Sequence, residues 1–172
     1  MAHVKDSITI SSTPEKVHSY VAMVDKWPAW SDAVGRVNRH VGDGSSGTVV
    51  YQTYSLVGKS IEFITTVKEN GAKPEGGYVW RSERVGDLPG WLSLDFDLQD
   101  GKTLVTGELE YELPGGALGR VADHLGAKAA MEHSLGHALR ALKELAEEDW
   151  FVGPDPKEEG WPQPCDDEAA PR

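Results

Sequence analysis

The 172-residue chain predicts an α+β fold, in which a curved antiparallel sheet of seven strands is covered by one long C-terminal helix. Three observations predict it. An alternating segment at the N-terminus precedes two short helical pieces. Six further strand-like segments then follow one another, separated by short turns rich in glycine. Finally, an apolar stripe at helical spacing follows the last strand.

The first strand, Val4 to Ser11, alternates apolar and polar side chains. Shortly after this strand, the residues from position 13 to position 15 predict the start of a helix. Thr13 can cap it, Pro14 suits the first helical position, and Glu15 favours the positive end of the helix dipole. His18 falls outside the apolar stripe of this helix and is expected to be solvated.

Pro28 cannot continue the first helix, so Asp25 to Trp30 is predicted as a second short helix or turn. The six later strands are predicted at Ala33 to Val41, Thr48 to Leu56, Ser60 to Lys68, Gly77 to Arg84, Trp91 to Gln99 and Thr103 to Leu113. Their alternation gives the sheet one wet and one covered face. The cover is the predicted helix from Ala117 to Glu148.

Composition excludes several classes of function. A net charge of -11 argues against a nucleic-acid partner or an anionic membrane surface, since both would be repelled. Cys165 is the only cysteine, so no intramolecular disulfide or CxxC metal site is available. His133 and His137 lie on the polar face of the long helix with no evident third ligand, so no metal site is expected. No segment reads as a membrane span, and the expectation is a soluble, cytoplasmic protein without a cofactor.

The chain is expected to form one folded domain over residues 1–149, followed by an acidic, proline-rich tail over residues 150–172. The tail mixes proline with acidic residues and is predicted to be disordered or loosely packed. Trp161 is unusual in such a segment. Two readings stay open: it packs on the outside of the domain, or it touches the mouth of a cavity or a partner.

Five groups of residues, in this order, carry a resemblance to a known superfamily. They are Ile8-x-Ile10 with Thr13-Pro14-Glu15-Lys16-Val17, Trp27-Pro28-Ala29-Trp30, Val79-Trp80-Arg81-Ser82, Val105-Thr106 with Tyr111, and Pro114-Gly115-Gly116 with Leu118-Gly119-Arg120. With them the chain resembles, over Val4 to Glu148, the SRPBCC or START-like superfamily. This superfamily has the helix-grip fold shared with the birch pollen allergen. Within it, the chain is most similar to the polyketide cyclase/dehydrase and lipid-transport group.

The resemblance implies a deep, mostly apolar cavity between the curved sheet and the last helix, used for hydrophobic ligands, lipids or polyketide-like substrates. It does not imply one reaction, because the superfamily includes cyclases, carriers and partner-binding proteins. The candidate ligand-binding residues are Trp30, Tyr54, Phe63, Thr65, Tyr78, Trp80, Ser82, Leu94, Phe96, Tyr111 and Met131. Ordinary core packing is the alternative for each of them.

Three polar residues are candidates for catalysis. Arg84 shares a strand register with Trp80 and could hold a carboxylate, enolate or phenolate oxygen. His124 lies on the apolar stripe of the long helix and could move a proton. Tyr51 is the third candidate, although the alternation of its strand leaves open whether Tyr51 or Tyr54 points inward.

These features lead to three functional hypotheses. The first is a cofactor-independent enzyme that folds a polyketide-like chain and promotes its cyclisation and dehydration. The second is a carrier that holds a lipid, quinone or pathway intermediate without changing it. The third is an interaction module that uses its acidic surface. The expected partner is a hydrophobic small molecule, and a homodimer stays open.

Overall fold

The computed structural model describes residues 1–113 and 121–148, and for residues 121–125 it describes the helical backbone alone. The strands are β1 (Ala2–Ile10), β2 (Arg36–Val41), β3 (Val49–Leu56), β4 (Lys59–Ala72), β5 (Tyr78–Gly86), β6 (Gly90–Gln99) and β7 (Lys102–Tyr111). The helices are α1 (Pro14–Ala22), a 3₁₀ helix (Val24–Ala29) and α2 (Val121–Glu147). The predicted α+β helix-grip fold is therefore confirmed.

Three predictions lie outside the described residues. They concern the start of the long helix at Ala117, the tail over residues 150–172 and the side chain of His124. Among residues 1–113 and 121–148, no helix combines the length and the apolar character that crossing a bilayer requires.

The start of α1 follows from its capping residues. The Thr13 hydroxyl accepts a hydrogen bond from the Lys16 backbone N–H at 3.3 Å, and Pro14 occupies the first turn. Pro28 lies inside the following 3₁₀ helix. Both short helices precede β2, as predicted.

All seven strands form one antiparallel sheet in the order β1-β7-β6-β5-β4-β3-β2. β4 is longer than predicted, because the ladder continues beyond Lys68 after an irregularity between Val67 and Glu69. Asn70 and Gly71, which the sequence favours as a turn, pair with Trp80 and Val79 instead. A β-bulge increases local twist, so this irregularity helps the sheet to curve.

α2 lies against β1 and β7 on the inner face and also touches α1. Its buried side chains include Met131, Leu135 and Leu142, which belong to the main hydrophobic core. At Gly107 on β7 the helix comes close, because a Cβ there would lie within 3.0 Å of Leu135 Cδ1 and 3.3 Å of Leu94. The helix therefore closes directly onto the middle of β7.

Candidate functional site

Four residues that are neighbours across adjacent strands form a row on the inner face, and three of them have polar side chains. Thr65 on β4 pairs with Arg84 on β5, Arg84 pairs with Gly90 on β6, and Gly90 pairs with Tyr111 on β7. All four are buried. We call this set the Arg84 row.

Arg84 is 3% exposed, and it is the only buried residue with a permanent charge among the residues whose side chains the structure describes. Its Nη2 donates a hydrogen bond to the Val34 carbonyl at 3.3 Å, and its guanidinium lies 4.8 Å from the centre of the Phe63 ring. Its Nε and Nη1 have no hydrogen-bond partner in the described part of the chain. Burial lowers the pKa of Arg84 to about 10, against a smaller opposing effect of Tyr54. At neutral pH Arg84 is still a cation, with donors free for a ligand.

Hydroxyl and amide groups surround Arg84. Tyr54 and Ser134 share a hydrogen bond of 2.7 Å between their oxygens, which joins β3 to α2. The Thr65 hydroxyl donates to Gln52 Oε1 at 2.5 Å, and Gln52 Nε2 donates to the Gly35 carbonyl at 2.6 Å. These bonds fix the side chains next to Arg84 but do not engage its free donors.

Two more buried donors on this face lack a partner among the described residues: the Tyr111 hydroxyl and Trp80 Nε1. The pKa of Tyr111 is raised, first by burial and then by the charges of Glu132 and Tyr54. Tyr111 therefore stays a neutral phenol. A buried donor without a partner costs free energy, so each of these groups marks a position where a ligand oxygen would be favoured.

The remaining predicted residues divide between the site and its surroundings. Ser82 lies beside the Arg84 row on β5 and donates a long hydrogen bond of 3.4 Å to the Leu92 carbonyl. Trp30 follows the last residue of the 3₁₀ helix, and its Nε1 donates to the Tyr20 carbonyl at 3.1 Å. The other predicted residues that face the interior are Phe63, Leu94, Phe96 and Met131 on the sheet or α2, with Tyr78 half-buried.

Tyr51 does not join this group, and its placement corrects the sequence prediction. On β3, Val50, Gln52, Tyr54 and Leu56 are buried, so Tyr51 points to the opposite face of the sheet. Its ring there lies 3.8 Å from the Arg39 guanidinium carbon. Tyr54 is the tyrosine that faces Arg84.

A second polar cluster was missed, because His18 was expected to be solvated. It is instead buried on α1, with its ring stacked on Tyr78 at 4.6 Å between centroids and edge-on to Phe96 at 5.4 Å. Its Nε2 lies 2.7 Å from Asn70 Oδ1, and Asn70 Nδ2 donates to the Gly44 carbonyl at 2.7 Å. Because Asn70 presents its oxygen, Nε2 is the nitrogen that carries the proton. Burial lowers the pKa of His18, which keeps it neutral.

Among the described residues, the expected lining of the deep cavity is packed against other protein atoms. Trp80, Leu94, Phe96 and Met131 are each at most 1% exposed, so they pack against protein. Three open grooves lie at the surface of the described part of the chain, and each is lined mainly by residues outside the Arg84 row. One of about 360 Å³ is lined partly by Tyr54, one of about 430 Å³ by Tyr111, and one of about 530 Å³ by Gln52 and Phe63.

Similar solved structures share this fold. The aromatase/cyclase ZhuI from Streptomyces sp. R1128 is 13% identical, with a TM-score of 0.65, and the match covers 88% of this chain and 96% of that one. A START superfamily protein from Mycobacterium smegmatis is 19% identical, with a TM-score of 0.58 and coverages of 84% and 97%. The Aha1 dimer from Colwellia psychrerythraea is 17% identical, with a TM-score of 0.57 and coverages of 86% and 98%. At these identities the likeness shows the fold alone.

No curated protein matches the chain by sequence. A family comparison does match: residues 1–147 fit the family described as polyketide cyclase / dehydrase and lipid transport. This match spans most of the 172 residues and agrees with the helix-grip architecture and with the superfamily that the sequence resembles. The chain belongs to the polyketide cyclase/dehydrase and lipid-transport family.

Proposed function

We propose that this protein binds a hydrophobic, polyketide-like molecule between the inner face of the sheet and α2, and promotes its cyclisation and dehydration. The observation that carries the proposal is the buried Arg84 guanidinium, whose Nε and Nη1 have no partner among the described residues. A buried cation favours an enolate or carboxylate oxygen, because the low local dielectric strengthens their attraction. Family membership supports the same class of ligand.

In the proposed reaction, a base takes a proton from a carbon between two carbonyls of the chain, and Arg84 stabilises the resulting enolate. The enolate carbon then attacks another carbonyl of the same chain, and the alkoxide that forms takes up a proton. The new hydroxyl leaves as water when the adjacent carbon loses a proton. Tyr54, held by Ser134, orients a substrate carbonyl through its hydroxyl. His124 remains our candidate for moving the proton. The apolar side chains on the inner face confine the chain in a folded shape, which lowers the entropic part of the barrier.

Binding requires the closed interior to open. One open groove is lined partly by Tyr54 and another partly by Tyr111. We propose that the ligand enters there and displaces side chains next to the Arg84 row. The donors that Arg84 and Tyr111 leave unpaired in the free protein would then be satisfied by ligand oxygens.

The experiment is to incubate the purified protein with candidate poly-β-carbonyl intermediates and to measure cyclised product. We expect Arg84→Ala to lose most of the activity, because it removes the group that stabilises the enolate. His124→Ala should slow turnover more than binding, and Tyr51→Phe is the control that should leave activity unchanged. Product formation by Arg84→Ala at the wild-type rate would refute the proposed role of Arg84.

A non-catalytic carrier is the second candidate, and one observation favours it. Among the residues whose side chains are described, the buried polar groups next to Arg84 are hydroxyls and amides, with no buried carboxylate. Such groups can orient a ligand but are poor general acids or bases at neutral pH. Tight binding of the intermediates without any product, in the wild type as in His124→Ala, would establish the carrier instead.

A further inference from the structure

The Arg84 row holds two separate sets of free donors. Arg84 has unpartnered Nε and Nη1 atoms, and the Tyr111 hydroxyl is equally unpartnered in the described part of the chain. Gly90 lies between them in the register, paired with Arg84 on one side and Tyr111 on the other. Neighbouring strands are ~4.8 Å apart, which puts the two donor residues roughly 10 Å apart at the backbone.

Gly90 carries no side chain between the two donor residues. The backbone there is also tight, because a Cβ on Gly90 would lie 1.9 Å from the Glu110 carbonyl oxygen. Only glycine fits this position. Arg84, Gly90 and Tyr111 lie side by side on three neighbouring strands. Arg84 and Tyr111 therefore carry donors on their side chains, whereas Gly90 has no side chain.

The electrostatics of the two ends differ. At one end the Arg84 cation has no described carboxylate partner, so this end favours an anion. At the other end, the buried Tyr111 hydroxyl carries no charge and offers a single donor. A neutral acceptor, such as a carbonyl or hydroxyl oxygen, suits the Tyr111 hydroxyl. Tyr54 acts electrostatically on both Arg84 and Tyr111, which places it in the same neighbourhood as both groups.

We infer that the ligand is a flat hydrophobic molecule with oxygens at opposite ends, an anionic oxygen bound by Arg84 and a neutral oxygen bound by the Tyr111 hydroxyl. The body of the ligand lies over Gly90. This inference rests on the proposed function, because it requires a ligand in the same interior site. It adds the spacing and the charge of the groups that the ligand must carry.

The test compares two probes, 2-naphthoate and 6-hydroxy-2-naphthoate, by calorimetric titration. Both carry the carboxylate for Arg84, and only the second carries an oxygen at the far end. We expect the wild type to bind the hydroxylated probe roughly three- to tenfold more tightly, the range expected for one buried hydrogen bond. Tyr111→Phe should abolish that preference without weakening 2-naphthoate.

Two variants complete the comparison. Arg84→Gln should weaken both probes, because both use the carboxylate. Tyr20→Phe is the control: Tyr20 lies on α1, outside the Arg84 row, with Lys26 Nζ 5.0 Å from the centre of its ring, and the change should alter neither affinity. Tyr111→Phe removes a hydroxyl that makes no described hydrogen bond, so it should fold like the wild type.

The outcomes separate the two claims. If both probes bind in an Arg84-dependent manner but Tyr111→Phe keeps the preference for the hydroxylated probe, the inferred two-point recognition is wrong and the proposed site stands. If neither probe binds the wild type at millimolar concentration, both the inference and the proposed site for hydrophobic anions are overturned.

Discussion

Arg84 carries a cost in the free protein that only a bound partner would remove. Its guanidinium is buried, and the hydrogen bond to the Val34 carbonyl satisfies only part of its donor capacity. Burying a charge without an opposite charge is destabilising, and a protein retains such a group where function needs it. The same reasoning applies, on a smaller scale, to the Tyr111 hydroxyl.

Replacing Arg84 by methionine should therefore stabilise the free protein. We expect Arg84→Met to raise the free energy of unfolding by about 1 kcal/mol or more, because an apolar side chain of similar length replaces an unpaired buried charge. Urea unfolding of the wild type and the variant measures this change in the free energy of unfolding. The control is Arg81→Met on the outer face, where Arg81 makes an exposed ion pair of 3.1 Å with Glu69, and the change should be small. A less stable Arg84→Met protein would mean that the guanidinium has partners we have not identified.

The two inner tyrosines near Arg84 should respond oppositely to loss of their hydroxyls. Tyr54→Phe breaks the hydrogen bond to Ser134 and leaves that buried hydroxyl unpaired, so we expect a loss of about 1 kcal/mol. Tyr111→Phe removes a donor without a described partner and should be neutral or stabilising. Thermal unfolding of both variants, side by side, checks the contrast. Equal destabilisation would show that the Tyr111 hydroxyl is bonded in the folded protein.

His18 should make the stability of the fold depend on pH. Burial lowers its pKa in the folded state below the ordinary value of 6.5. The unfolded chain therefore binds a proton more readily, and stability present above pH 6.5 is lost as the pH falls towards the folded pKa. We expect the wild type to lose more stability than His18→Gln between pH 7.5 and pH 5 in thermal unfolding. Parallel curves for the two proteins would contradict this.

The site was partly predictable for an identifiable reason. On β5, Trp80, Ser82 and Arg84 alternate regularly with polar outer residues, so period alone indicates their face. On β3, apolar or aromatic residues occupy both registers, and the sequence could not decide between Tyr51 and Tyr54. His18 was missed because its partner Asn70 comes from β4, far away in sequence. Because His18 lies beside the apolar stripe of α1 and not within it, the pattern of its own helix does not indicate that it is buried.

Among the elements, α2 packs against both β1 and β7. Leu135 packs onto Gly107, so the helix closes on the sheet at that point, while the Arg84 row lies farther along the strands. The order from β2 to β7 was predictable from the short connections, whereas the connections do not indicate that β1 pairs with β7. The extension of β4 was not predictable, because its irregularity after Val67 carries Asn70 and Gly71 into the ladder.

Leu135 should be a principal anchor of α2. It is 1% exposed, and truncation would leave a cavity against Gly107 and Leu94. We expect Leu135→Ala to lower the free energy of unfolding by about 2 to 5 kcal/mol. Leu98→Ala on the sheet, where the side chain is 66% exposed, is the matched control and should cost much less. Similar losses for both, measured by urea unfolding, would mean that α2 is not held at this contact.

For the whole molecule, the charge distribution and the family agree with a small-molecule role. The net charge of -11 disfavours nucleic acid as a partner, whereas the one buried permanent charge in the described side chains is positive. The acidic exterior repels an anionic ligand in the same way, so the affinity for a hydrophobic anion must come from Arg84 and from apolar contacts inside the protein. The family and the fold were predictable from ordered motifs, since each motif specifies a local structure. The closed interior was not, because packing between α2 and the sheet depends on contacts across the whole chain.

Native mass spectrometry of the purified protein tests the central claim most directly. We expect the wild type to retain or take up one hydrophobic anion per chain, such as 2-naphthoate, and we expect that Arg84→Met does not, although it remains folded. Arg81→Met should bind like the wild type. Equal uptake by the wild type and Arg84→Met would contradict the account, because the ligand would then not depend on the buried cation.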